Sequence, residues 1–486
     1  TEYHARMPKE LTLRSLILGA LITTVFTDAN VYLGLKVGLT FASSIPAAVI
    51  SMAILSAVKD ASILENNIVQ TVASAAGTLS AIIFVLPGLV IVGWWTGFPF
   101  WESFLICASG GVLGVLFTIP LRRALVTHSD LPYPEGVAAA EVLKVGSGTR
   151  GEGQADPGEA REGLIAVVLG SVASAGLAIV TATRVAAAEV SSVFRVAGQA
   201  ASGYDIAWSL ALFGAGHLVG LEVGVAMAAG LLIAWAGAVP ILTALQPATD
   251  VAAFADHAMR IWSTQVRFIG AGTIAVSAIW TLATLAKPVI GGLVHTLRAS
   301  SATATGDDRD RDLSPAWIVT LAIACLVVAG WLAFSFARAT ALAPHAVLLT
   351  AIAVPFVFIV GFLIAGVAGY MAGLIGASNS PISGIGILGI VTCASIVSLA
   401  VTPTPENRPL LVAFALFVTA IVFACATISN DNLQDLKTGQ LVGASPMKQQ
   451  IALIVGVAAG AAVIPSVLNL LAKAYGFAGA ANIGVV

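Results

Sequence analysis

The sequence predicts an all-α polytopic membrane protein with about thirteen transmembrane helices and a few short re-entrant or broken segments. Three observations predict it. Hydrophobic residues make up 58% of the 486 and charged residues 10%, whereas soluble domains carry roughly 45–50% and about 25%. The apolar residues gather in continuous runs of the length that crosses a bilayer, about 20 residues, and do not alternate as barrel strands must. Glycine, with 48 copies, is as frequent as close-packed membrane helices favour.

Residues 1–14 are polar and read as a cytoplasmic segment. The first apolar run, 15–35, leads directly into others without a small-residue cleavage pattern, so it reads as a retained helix. Runs at 39–58, 67–92, 100–121, 161–183, 204–217 (a short one), 218–241 and 267–290 follow. The stretch 298–314, which contains SSATATGDDRDRDL, is too small, polar and charged to pack and reads as a cytoplasmic linker. Ser314 then caps a helix with Pro315 in its first turn. Runs at 315–336, 345–368, 382–401, 409–428 and 448–471 complete the series. With the amino terminus inside, 15 of the 23 Lys and Arg residues fall on the cytoplasmic side, the bias that orients membrane proteins.

The linker separates two parts with similar layout: 15–297, with about eight helices, and 315–486, with about five. From the start of the first span to the start of the fifth is 146 residues in one part and 133 in the other. Polar clusters open the third span of each, Glu65-Asn66-Asn67 and Ser378-Asn379-Ser380-Pro381. This layout predicts a duplication of the kind common in transporters, with parallel repeats. On that reading the second repeat stops about three helices short.

Several function classes drop out. A net charge of −2 advertises no nucleic acid partner. Cys107, Cys325, Cys393 and Cys425 sit singly in apolar runs, so neither a disulfide framework nor a thiolate metal site is expected. His217 and Glu222 in HLVGLE do not form H-E-x-x-H, and neither G-x-S-x-G nor a G-x-x-x-x-G-K-[ST] phosphate loop occurs. No enzyme, cofactor, metal centre or nucleotide-driven pump is therefore expected within this chain. A channel would show charged rings or a carbonyl filter motif, and none is evident.

What remains is the small polar minority inside the apolar runs, where unpaired groups are costly and so face a cavity or one another. Asp28, Tyr32 and Lys36 share a helix face. Asp28 suits a proton carrier, while an Asp28–Lys36 pairing or snorkelling of Lys36 is the structural alternative. Ser62 and Glu65 form a capping box, which leaves Asn66, Asn67 and Gln70 unexplained by structure; amides suit a peptide backbone. PYPEG at 132–136 resists an ordinary span and is either covered irregular backbone or a surface hairpin. Residues 378–384 have the proline and glycines of a broken helix, and Asp431, Gln434 and Asp435 follow helical spacing with Lys437 nearby. Helix breaks of this kind hold charged substrate ends, although an interfacial turn and a solvated amphipathic helix are the plainer alternative.

The segments ANVYLGLKVGLT, SSIPAAVISMAIL, ILENNIVQTVASAAG, LPYPEGVAAAEVLK, SNSPISGIGILG and LQDLKTGQLVGASPMKQQ, in this order, resemble the oligopeptide transporter family. The likeness is greatest to its prokaryotic branch, related to the yellow stripe-like metal-chelate transporters, and runs along nearly all of 11–476. It implies sixteen helices in two eight-helix repeats and proton-coupled symport of short peptides or metal–chelator complexes across the cell membrane. The shared motifs cover Asn30, Tyr32, Lys36, Glu65, Asn66, Asn67, Gln70, Pro134, Glu135, Asn379, Pro381, Gln434, Asp435 and Lys437. Asp28 lies outside what the resemblance supports, so its role rests on physics alone.

The expected function is thus a secondary transporter with alternating access. Substrate would be bound by Asn30, Tyr32, Lys36, Asn66, Asn67, Gln70, Asn379, Ser380, Gln434, Asp435 and Lys437, and Glu65 or Asp28 would carry the coupling proton. Peptides and metal chelates both present carboxylates and amines, so the residues leave that choice open. The expected partners are the substrate, protons and the lipid bilayer, and a homo-oligomer is compatible with the reading.

Overall fold

Long apolar runs satisfy their backbone in a membrane only by closing hydrogen bonds within themselves, and they do so here. The computed structural model describes 9–37, 40–58, 60–146, 310–378, 380 and 382–476, with parts of 165–284, chiefly 189–208, 210–219, 221–247 and 254–277. The chain divides into two compact units, Thr1–Leu164 with Thr281–Val486, and Ile165–Trp280.

The first unit begins with α1 (Leu13–Val37), α2 (Ser44–Leu55) and α3 (Ile63–Leu79). A 3₁₀ turn at Ser80–Phe84 carries α3 on into α4 (Leu86–Ile91), with Pro87 in the first turn of α4. Then come α5 (Phe100–Arg122) and α6 (Pro134–Gly146). The second unit holds β1 (Glu189–Ala197), β2 (Ala200–Ala207), α7 (Leu210–Val219), α8 (Leu221–Leu231), α9 (Val239–Leu245) and α10 (Phe254–Ile261). The first unit resumes with α11 (Pro315–Arg338), α12 (Ala346–Ile375), α13 (Ile382–Ala400), α14 (Arg408–Val442) and α15 (Pro446–Tyr475).

Both caps read from sequence are present. Ser62 Oγ accepts the Glu65 N–H at 3.1 Å and Ser314 Oγ accepts the Trp317 N–H at 3.5 Å. Only half of the capping box forms at Ser62, because the Glu65 carboxylate turns to Arg14 and Thr12 instead. Helix α14 ends at Gly443, whose φ of +78° no L side chain adopts cheaply.

In the first unit α14 is the central helix, packed by α3, α5, α6, α12 and α13. Its contact with α5 is close because Gly110 and Gly114 face the carbonyls of Ile421 and Cys425, the small-residue packing that lets membrane helices approach. Phe414, Phe417 and Phe423 of α14 are fully buried, and Phe336 of α11 packs edge-on against Phe414 and at a tilt against Phe417.

Within the second unit β1 and β2 form an antiparallel hairpin turning at Gly198, with Val193 opposite Gly203. Ala201, Val239, Ala258, Ile261 and Val266 form its core, and Trp235 stacks with Trp262. His217 and Glu222 are exposed, and among the described residues no hydrogen bond joins them to Arg267.

Among the described residues nine helices are long and apolar enough to cross a membrane, fewer than the thirteen expected. The run 39–58 forms α2 over only 12 residues, about 18 Å against a hydrocarbon core of about 30 Å. The short run 204–217 is split between β2 and α7, so one stretch of the all-α expectation is strand. Runs 161–183 and 267–290 lie only partly within the described residues. The run 409–428 was bounded too early. Continuous helix carries α14 through 430–437, in keeping with the helical spacing of Asp431, Gln434 and Asp435, and the stretch is buried instead of forming a solvated amphipathic helix.

Candidate functional site

Helix α3 places Asn67, Gln70, Ser74 and Thr78 three or four residues apart and hence on one face. On α14 the residues Asp431, Asp435 and Thr438 do the same. The two stripes meet. Gln449 Nε2 of α15 donates to Asn67 Oδ1 at 3.1 Å, and Asn67 Nδ2 donates to Gln70 Oε1 at 3.1 Å. Gln70 Nε2 donates to Asp435 Oδ1 at 2.5 Å, while Ser74 Oγ and Thr78 Oγ1 donate to Asp431 Oδ2 at 2.5 and 2.8 Å. From Asn67 to Thr78 this ladder climbs about 16 Å along α3. Nearly every group in it is fully buried.

A second branch starts at the head of α6. Tyr133 takes a φ of +43° there, its N–H donating to Gly373 O at 2.9 Å and its hydroxyl to Leu125 O at 2.6 Å. Burial pushes the Tyr133 phenol well above its usual pKa, so it remains a donor. Gln434 then ties three helices, since Oε1 accepts the Gly136 N–H at 2.7 Å and Nε2 donates to Ala372 O at 2.6 Å. Thr438 Oγ1 donates to Gly136 O at 2.9 Å, and Glu135 Oε1 accepts the Ser378 N–H at 3.0 Å.

Several buried oxygens in this region have no partner: Asp431 Oδ1, Asp435 Oδ2, Glu135 Oε2, Asn430 Oδ1 and Asn432 Oδ1. All are acceptors, so what they lack is a donor. Among the described residues no group of three or more His, Cys, Asp or Glu is placed to hold a metal ion.

The residues singled out from sequence distribute unevenly. Asn67, Gln70, Gln434 and Asp435 join the buried network described above. Asn66 bridges α2 and α3, accepting from Ser51 at 2.6 Å and donating to Ser62 O at 3.3 Å. Asn30 is committed to backbone, bonding both groups of Phe41 and the carbonyl of Gly77. Glu65 is buried and held by Arg14 and Thr12. Asp28, Tyr32 and Lys36 form an exposed stripe on α1, Tyr32 lying beside Tyr475. Lys437 reaches Gln440 at 3.0 Å and sits over the Tyr133 ring. Ser380 closes the turn after α12 by donating to Gly376 O at 2.9 Å. Asn379 and Pro381 lie outside the described residues, as do 298–309 of the linker.

Ser74, Thr78, Gln449 and the pairing role of Asp431 escaped the sequence reading. Polar residues at helical spacing inside an apolar run were the available sign. Hydroxyls carry it weakly, because Ser and Thr in membrane helices also bond their own backbone, as Thr118 does here.

A family model described as "OPT oligopeptide transporter protein" matches residues 10–484. The chain belongs to the oligopeptide transporter family. It is a multi-pass membrane transporter and not an enzyme. A Haemophilus influenzae relative described as "Putative oligopeptide transporter" is 47% identical over 457 residues, which is 92% of this chain and 71% of that one. A similarly described Saccharomyces cerevisiae protein is 28% identical over 164 residues, covering 29% of this chain and 22% of the relative.

In this transporter Gln434→Leu is expected to leave the Gly136 N–H without an acceptor, at about 1–3 kcal/mol. The Ala372 carbonyl still accepts from Gly376, so the loss is confined to the α6 side. Thermal unfolding in detergent should show the decrease, and in acidic solution Gln434→Glu, whose neutral carboxyl keeps an acceptor for Gly136 and a donor for Ala372 O, should recover most of it.

Proposed function

We propose that the transporter carries short peptides across the cell membrane by proton-coupled alternating access, with its amino terminus in the cytoplasm. The observation that carries this reading is the buried polar seam between α3, α6, α14 and α15, with its unpartnered acceptors. In a transport family, polar groups kept at such cost inside apolar helices serve the substrate or its coupling ion. The amides Asn66, Asn67, Gln434 and Asn379 are the groups suited to an extended peptide backbone, since amides both donate and accept. Asn67, now bonded to Gln70 and Gln449, and Gln434, now bonded to Gly136 and Ala372, would exchange protein partners for substrate partners as the helices move.

Two eight-helix repeats are part of the proposal. The fourth helices of the two parts, α5 and α14, pack on each other, as equivalent elements next to a pseudo-twofold axis do.

The test is uptake by the full-length protein in liposomes under an inward proton gradient. Labelled tri- to hexapeptides and an iron–chelator complex are offered side by side. Peptide accumulation that a protonophore collapses is the expected result. Accumulation of the chelate alone overturns the peptide assignment, and flux indifferent to the gradient overturns the coupling.

A further inference from the structure

Asp431 and Asp435 stand one helical turn apart on α14, each 1% exposed. Each has one oxygen engaged by neutral donors and one buried oxygen without a partner. Glu135, at the head of α6, lies within electrostatic reach of both and also has a free buried oxygen. No compensating cation faces them among the described residues. From α3 come Gln70, Ser74 and Thr78, and from α15 comes Gln449, which bonds the Asp435 carbonyl. The nearby basic side chains pair elsewhere: Arg14 with Glu65, Arg122 with Asp310 and Asp312, Lys448 with Glu10, and Lys437 with Gln440.

Like charges buried together without a counter-ion cannot both persist. The free oxygens are sealed from solvent, so the donor that fits them in this state is the smallest one, a proton. Ser74 supplies a route. Its hydroxyl donates to Asp431 Oδ2 at 2.5 Å, and it stands one turn along α3 from Gln70, whose Nε2 donates to Asp435 Oδ1 at 2.5 Å.

We propose that Asp431 and Asp435 share the transported proton and that the Ser74 hydroxyl relays it between them. With Asp435 neutral, its O–H donates to Ser74 Oγ. The serine passes its own proton to Asp431 and takes the one from Asp435. One O–H bond breaks and one forms at Ser74, one breaks on Asp435 and one forms on Asp431. The net result is a single proton moved by one helical turn, about 6 Å along α14. It comes from water on one side of the membrane and returns to water on the other, so the carboxylates are restored in each cycle. The proposal rests on the proton-coupled reading above and names its carrier.

Infrared difference spectra of the purified full-length protein test the site without any substrate. Between neutral and alkaline solution the wild type should lose the C=O stretch of a protonated carboxyl, and this band should be missing or shifted in Asp431→Asn and in Asp435→Asn. A wild type without the band, or both variants keeping it unchanged, overturns the proposal, and the wild-type result stands even if a variant does not fold. In liposomes both variants should lose the gradient-driven part of peptide accumulation. Ser74→Ala should keep the band but slow coupled uptake, and Ser74→Thr should restore the rate. Glu65→Gln is the competing variant: if it abolishes coupling while both aspartate variants accumulate as wild type does, the carrier is Glu65 and the proposal falls. A wild type with the band but no peptide uptake supports the proton site and removes only the peptide assignment.

Discussion

Gly110→Leu should leave almost no folded protein, because a side chain at this position collides with the backbone of α14. A Cβ there would lie 2.3 Å from the Ile421 carbonyl oxygen and 2.7 Å from Ala424 Cβ. A flexible side chain could swing away from such a contact, whereas a helix backbone has to move as a body. Movement of α14 away from α5 is opposed one turn on, where Gly114 sits against Cys425 O and its carbonyl accepts from Ser429 Oγ at 3.2 Å. Overpacking a close-packed site costs about 1–3 kcal/mol. Alanine should fall within that range and leucine beyond it, since the leucine also has to find room for three more carbons. Size-exclusion profiles and thermal midpoints in detergent should fall in the order Gly, Ala, Leu. A wild-type midpoint for the Gly110→Leu variant would show that α5 and α14 are not pressed together in the folded molecule.

Arg122→Leu is expected to cost about 3 kcal/mol, the lower end of what breaking a buried ion pair costs. The Arg122 side chain is 3% exposed at the end of α5, with Nε on Asp312 Oδ1 at 2.6 Å and Nη2 on Asp310 Oδ1 at 2.8 Å. Asp310 is 50% exposed and will be rehydrated when the arginine goes. Asp312 is only 17% exposed and keeps Gln450 Nε2 at 2.6 Å and the more distant Arg123. Its desolvated charge is therefore the main source of the loss. The double variant Arg122→Leu with Asp312→Leu should recover much of the midpoint, since it leaves no orphaned charge. Equal loss in the single and double variants would show that the guanidinium contributes through packing instead.

Segment 310–313 illustrates how far the sequence could be read. Its composition marked it as a linker, and no rule of composition could foresee that Asp312 would fasten α5 to the start of α15. Glu65 is a similar case. The Ser62-x-x-Glu65 spacing announced a helix start, and the helix starts there, yet the carboxylate bonds Arg14 and Thr12 across 51 and 53 residues. On α14 the helical spacing of Asp431, Gln434 and Asp435 holds, but the plainer alternative of a solvated helix fails, because Asp431, Asn432 and Asp435 lower local hydropathy as much as a solvated segment would. Hydropathy measures each residue alone, whereas these are stabilised by α3 and α5.

The sequence by itself determined that this is a helical membrane protein of the oligopeptide transporter family, where most of the long helices lie, and how two of them begin. Those properties follow from local quantities: apolar run length, caps and ordered motifs. Tertiary structure alone decided which polar residues meet in the interior. Gln70 and Asp435 lie 365 residues apart, and neither could be assigned a partner from its neighbours along the chain. Hydrocarbon demands that each buried amide and carboxylate find one, and only the packing of α3 against α14 determines which partner it is and which oxygens are left free.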